Sequence, residues 1–344
     1  MKTSLVGRPF AVGFPLTVTV TLVLAWRHAH VLRQRVGAAL LSLLAAVLAV
    51  AVGVNGYFAY FPSVGALLGR RATDEVTQGE LASLVRSGRV PDHGVVLRVH
   101  IPGALDARSG QIYLPPAWFR SPRPALPAVE LLHGTPGAPE DWTRAGFADV
   151  TADRWAAAHD GVAPVLVMPD PNGSFTGDTE CVDGRAGRAE TYLVRDVPRW
   201  VEAHEDVRGP WAVAGSSMGG FCAAELALRH PDRFVAFADY SGLDRPTHPK
   251  GARWLLGSAA AVAEHTPANL LDARPSPAAW FEVGSSDDGA DVAVARLARA
   301  AEAAGLDTRF VVLPNAHHTW RVWRDSFAGS LPWLVARLGG RPAG

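Results

Sequence analysis

Residues 212–230 read AVAGSSMGGFCAAELALRH, and the fold turns on how they are read. An apolar run from Trp211 leads into them, and from Phe221 the spacing is that of an amphipathic helix. Between the two lies Gly215-Ser216-Ser217-Met218-Gly219, which fits G-x-S-x-G with Ser217 at the centre. A strand that enters a helix through so tight a turn needs small residues around it, which Gly215, Gly219 and Gly220 supply. The central serine is then held on a strained turn with its hydroxyl raised above the sheet. It also stands at a helix N-terminus, where free backbone N–H groups favour negative charge. Ser216 is expected to point the other way, into the packing beneath the turn. A glycine-rich turn without chemistry shares the bare pattern; the strand before it and the helix after it favour a nucleophile.

Outward from this unit the pattern repeats. Short apolar runs read as strands at VVLRVHI, GQIYLP, AVELLHG (128–134), APVLVMPDP (163–171), WAVAGSS (211–217), FVAFADYSG (234–242), AWFEVGSSDD (279–288) and TRFVVLPNAHH (308–318). Helical stretches alternate with them, at DVTADRWAAAH, TYLVRDVPRWVEAH, FCAAELALRH and ADVAVARLARAAEAAG. This alternation predicts an α/β domain over 93–340, with a mostly parallel, doubly wound sheet of eight strands.

A serine hydroxyl needs a base to attack at neutral pH. In a sheet of this kind the partners follow in the order Ser, acid, His, and ligand sites form at the carboxyl ends of strands. FEVGSSDDG ends one later strand and LPNAHHTWRVW the next. Asp287 or Asp288 is therefore expected to orient the imidazole of His317 or His318. For the oxyanion, the backbone N–H of Met218 is one expected donor. Thr135, in the loop LLHGTPGAPEDW after the third strand, is the other, with His133 bracing that loop.

The N-terminal part has a different character. Residues 10–26 and 36–61 carry no charge. The second run is longer than the roughly 20 residues needed to span a bilayer, and the first is at the short limit. Together they predict a transmembrane helical hairpin within a membrane region 1–68. Tyr57, Tyr60, Phe61 and Trp26 would sit at the interfaces. The Arg-rich loop between the runs, with Arg27, Arg33 and Arg35, favours the cytoplasm and would put the catalytic domain outside the cell. Residues 69–92 read as a juxtamembrane linker with a short helix at 74–86. The chain has 33 basic and 33 acidic residues, which argues against a nucleic-acid binder. Its two cysteines, Cys181 and Cys222, are able to form one disulfide in an oxidising compartment.

LLHGTPGAPEDW, GSSMGGFCAAELALRHPDRF, YSGLDRP and HHTWRVW resemble the esterase D and mycolyltransferase family of α/β-hydrolases over roughly residues 94–338. The paired membrane segments resemble its membrane-anchored actinobacterial type. The family's His-x-Trp-x-x-Trp segment selects His318 over His317, and its acid spacing selects Asp287, with Asp288 still open. The nucleophile maps to Ser217 and the oxyanion donors to Thr135 and Met218. Two departures from the mycolyltransferases stand out, and both weigh against mycolyl transfer to trehalose while leaving ester chemistry intact: their usual Asp-Gly after the third strand is His133-Gly134 here, and only Cys181 occupies a segment where they often hold two cysteines. A Cys181–Cys222 bridge would clamp the preceding loop to the elbow helix; alternatively Cys222 is a small buried apolar residue.

The resemblance implies a membrane-anchored serine esterase or acyltransferase that passes through an acyl-enzyme. It implies no metal or organic cofactor, and an acyl ester substrate of lipid or glycolipid type. Mycolyltransferase-like transfer to a sugar hydroxyl, amide hydrolysis, and a catalytically silent binding module at the membrane are the alternatives.

Overall fold

The computed structural model describes residues 32–61, 64–67, 73, 75–272 and 275–339. They fall into two units, an N-terminal one containing helix α1 (Leu32–Phe58) and a larger one containing the sheet. From Gln34 to Phe58, α1 is long and apolar enough to cross a membrane. Its Leu40, Leu43 and Val50 are 62%, 63% and 65% exposed, the reverse of a soluble core helix. The helix includes Leu32 to Arg35, upstream of the expected start at Val36, so Arg33 and Arg35, expected in a loop, are helical. Phe61, past its C-terminal end, is held by the side chain of Asn55 in its last turn: Nδ2 donates to the Phe61 carbonyl (2.9 Å) and Oδ1 accepts the Phe61 N–H (2.7 Å). The other arm of the expected hairpin, 10–26, lies outside the described residues.

The larger unit is built on one sheet. Its strands are β1 (Glu75–Val76), β2 (Val95–Val99), β3 (Gly110–Leu114), β4 (Ala128–Leu132), β5 (Val165–Met168), β6 (Trp211–Ser216), β7 (Phe234–Tyr240), β8 (Ala278–Gly284) and β9 (Thr308–Leu313). Their order is β1-β2-β3-β5-β4-β6-β7-β8-β9, and only β3 runs antiparallel to its neighbours. All eight expected strands are present. The count is nine because Glu75–Val76, inside the expected linker, pairs in parallel with β2.

The principal helices are α2 (Gln78–Ser87), α3 (Ala148–Ala158), α4 (Val197–His204), α5 (Met218–Arg229), α6 (Ala290–Ala303) and α7 (Trp320–Arg337). The linker helix expected at 74–86 starts only at Gln78. Thr77 caps it in a reciprocal box: its Oγ1 accepts the Glu80 N–H (3.3 Å) and Glu80 Oε2 accepts the Thr77 N–H (2.7 Å). Val76 and Leu81 are buried in the main core, so this stretch packs as part of the larger unit.

Every residue of β4, β5, β6 and β8 is buried. Strands buried on both faces are the mark of a parallel sheet covered by helices on each side. Register aligns Leu132 of β4 with Gly215 of β6, and Gly215 with Asp239 of β7. The carboxyl ends of three central strands therefore meet around Ser217.

Candidate active site

Ser217 follows β6 and precedes α5, with φ 57 and ψ −123. A side-chain-bearing residue held there costs about 1–3 kcal/mol. The surroundings hold it in place: its N–H donates to the Tyr240 carbonyl at the end of β7 (2.9 Å), and its own carbonyl accepts the Gly220 N–H (2.9 Å). The turn is closed by backbone-to-backbone contact. A Cβ on Gly219 would sit 2.1 Å from the Leu132 carbonyl oxygen, so only glycine lets the elbow seat against β4. Ser216 is fully buried and its hydroxyl has no partner among the described residues.

The loops after β8 and β9 are stitched together beside the elbow. A Cβ on Gly284 would meet the Ala316 carbonyl oxygen at 2.1 Å; its absence lets the β9 loop cross the end of β8. Ser286 N–H then donates to Ala316 O (2.9 Å), and Asn315 N–H to Ser285 Oγ (2.8 Å). His318 Nδ1–H faces both carboxylate oxygens of Asp287, each at 3.0 Å, and the Ser217 hydroxyl donates to His318 Nε2 at 2.9 Å. Asp287 is 3% exposed. Trp323, in the first turns of α7, stands edge-on to the imidazole with centroids 4.9 Å apart. The alternatives left by the sequence sit elsewhere: Asp288 is exposed, and His317 Nδ1–H donates to the Ser286 carbonyl (2.9 Å). With Nδ1 holding its proton toward a carboxylate, Nε2 is free to take one from the serine.

On the other side of Ser217 lies the loop after β4. Gly134 packs directly on the serine: a Cβ there would be 3.0 Å from Ser217 Cβ and 3.5 Å from its Oγ. Met218 opens α5, so its N–H precedes the first intrahelical donor. Thr135 Oγ1 donates to the Gly177 carbonyl and accepts from Asn172 Nδ2, both at 2.9 Å.

Behind this loop is a buried polar group that sequence reasoning recognised only in part. His133 was expected as a brace; Asp170 and Arg108 were missed. Arg108 grips Asp170 with Nη2 and Nε, each at 2.8 Å, and its backbone N–H donates to the same carboxylate (2.8 Å). Burial alone would raise the Asp170 pKa, but Arg108 and His133 outweigh it and hold the group well below the usual carboxylate range. The available signal was a carboxylate at the carboxyl end of β5, in MPDPNG.

Cys181 and Cys222 form a disulfide, with Cα atoms 5.6 Å apart. It ties the loop after β5 to α5, five residues from the serine. Among the described residues, no group of three or more His, Cys, Asp or Glu side chains converges as a metal site would.

The esterase family model matches residues 106–334 of this chain. The chain belongs to the esterase family. This esterase is 32% identical over 334 residues to an uncharacterized protein of Corynebacterium glutamicum, covering 89% of this chain and 77% of the relative. It is 24% identical over 198 residues to the diacylglycerol acyltransferase/mycolyltransferase Ag85A of Mycobacterium leprae, covering 51% of this chain and 59% of that enzyme. The solved structure of a ferulic acid esterase matches with TM-score 0.63 at 22% identity, over 71% of this chain and 99% of that one. The esterase thus has the α/β-hydrolase fold that the resemblance implied. It is an enzyme of the serine hydrolase class, an ester hydrolase or acyltransferase.

Proposed function

We propose that this esterase is anchored in the cell membrane and cleaves acyl esters through an acyl-enzyme on Ser217. One observation carries the reading. The Ser217 hydroxyl lies 2.9 Å from His318 Nε2, whose other nitrogen faces a buried carboxylate, Asp287. In this mechanism Ser217 Oγ attacks the ester carbonyl carbon as His318 takes its proton. The Thr135 and Met218 N–H groups hold the tetrahedral oxyanion. His318 then delivers the proton to the departing alkoxide, leaving the acyl group on Ser217. Water, activated by the same imidazole, releases the acid.

The apolar, outward-facing α1 supports membrane anchoring. The Cys181–Cys222 disulfide supports an extracytoplasmic catalytic domain, in agreement with the Arg-rich segment around Arg27 to Arg35 on the cytoplasmic side. Together they favour lipid or glycolipid esters as substrates.

A second outcome of the same acyl-enzyme, transfer to a sugar hydroxyl, is supported by the similarity to a mycolyltransferase. A fluorophosphonate probe tests the nucleophile: it is expected to label wild type and to fail on Ser217→Ala. An unlabelled wild type overturns the reading and leaves the silent binding module. p-Nitrophenyl esters of graded chain length, with and without trehalose, separate the two fates of the acyl group. Release of acid without a transfer product assigns hydrolysis.

A further inference from the structure

The peptide joining Gly134 to Thr135 is planar, with its N–H and its carbonyl pointing in opposite directions within that plane. His133 Nδ1 lies 2.8 Å from that carbonyl, Gly134 O, and so donates to it. We propose that His133 is a positioning residue: its Nδ1–H holds the Gly134 carbonyl, sets the rotation of the Gly134–Thr135 peptide, and thereby aims the Thr135 N–H at the oxyanion. The inference rests on the Ser217 reading above.

Three features make His133 suited to this. Its side chain is fully buried, so water does not compete for its ring nitrogens. Its ring is fixed from behind: Nε2 faces Asp170 Oδ1 at 3.4 Å, and Asp170 is in turn locked by Arg108. The loop is closed from the far side as well, because Arg108 Nη2 donates to the Gly137 carbonyl (3.0 Å) and Asn172 N–H donates to Asp170 Oδ1 (3.1 Å). The peptide that packs on Ser217 is thus held by His133, whose ring stands against the Asp170–Arg108 pair. Hydrogen bonds in series polarise one another, so a donor on the Gly134 carbonyl also strengthens the Thr135 N–H as a donor. Without it, the peptide is free to rotate its N–H away.

The role depends on one nitrogen, and this gives the test. Asparagine places an N–H close to the position of Nδ1, whereas glutamine reaches the position of Nε2 and leaves the Gly134 carbonyl without its donor. Asparagine leaves the larger void, so packing alone would favour glutamine, the reverse of the order expected from the Nδ1 donor. His133→Gln is expected to lose about 10- to 100-fold in kcat with KM within about twofold, up to the loss expected from removing one oxyanion donor. His133→Asn is expected to recover most of kcat. Rates are counted per serine labelled to completion with a fluorophosphonate, so that unfolded molecules do not enter. Gly137→Ala is the second variant, since its Cβ would press to 2.5 Å from Gly134 O and 2.7 Å from His133 Nδ1; it too is expected to lower kcat per labelled site. Equal losses in the Asn and Gln variants, or a loss confined to KM, would overturn the positioning role while leaving the Ser217 reading intact. A wild type that no fluorophosphonate labels withdraws both.

Discussion

Replacing Gly219 by alanine tests whether the elbow works by close backbone approach. The new Cβ would lie 2.1 Å from the Leu132 carbonyl oxygen, 2.6 Å from its carbon and 2.8 Å from the His133 oxygen. Ordinary contact begins at 3.4 Å, so the start of α5 must retreat by about 1 Å from a strand buried on both faces. A retreat of that size takes the Ser217–His318 distance from 2.9 Å to nearly 4 Å, outside hydrogen-bond range, and moves the Met218 N–H with it. Misplacement by 1 Å costs on the order of 100-fold in rate, and overpacking costs about 1–3 kcal/mol in stability. The assay is kcat for p-nitrophenyl butyrate hydrolysis per fluorophosphonate-labelled serine, with melting followed in parallel. If Gly219→Ala folds and keeps kcat within about threefold of wild type, the elbow tolerates the displacement and the argument from backbone contact is wrong.

Asp287→Asn would present an amide to His318 Nδ1 and favour the tautomer with its proton on the wrong nitrogen. A drop in kcat of about 10⁴-fold is expected by analogy with other serine hydrolase sites, whereas Asp288→Asn, exposed, should stay within twofold. Asp239 is fully buried beside the elbow, and burial raises its pKa from 3.8 to about 7 against a single Gly242 N–H. The folded state therefore keeps this proton where the unfolded state has lost it. Stability falls as pH rises from about 4 to 7, by at most roughly 4 kcal/mol. Calorimetry of wild type and Asp239→Asn should show their melting difference changing over this window; a difference constant with pH refutes it. Removing the Cys181–Cys222 bridge, which spans 41 residues, should cost about 4 kcal/mol by loop entropy, or on the order of 10 °C in Tm. Intact mass should be unchanged by alkylation without reductant; two alkylated thiols would exclude the bridge.

The eight main strands were legible because buried parallel strands are short apolar runs, and each was followed by a turn or a helical pattern. The two-residue β1 was not: Glu75–Val76 is too short to show a period, and its pairing to β2 depends on a neighbour about 20 residues on. The helix start at Gln78 was misread for a local reason, since the Thr77/Glu80 capping box was overlooked. Asp287 and His318 were each one of two candidates in sequence, Asp287-Asp288 and His317-His318. A resemblance chose between them, but the physical choice is made by Gly284, which lets Ala316 cross β8 and turns one residue of each pair inward.

From the order of its residues alone, this chain determines an α/β sheet, a serine on a glycine elbow, an apolar N-terminal segment, and an acid and a histidine waiting in later loops. These follow from local periods and from spacing along the chain. Tertiary structure alone decides which acid meets which nitrogen, that Cys181 reaches Cys222, and that Arg108 and Asp170 stand behind His133. Each of these joins residues tens of positions apart. Their contact is set by strand register and by backbone approach at glycines, which no local pattern records.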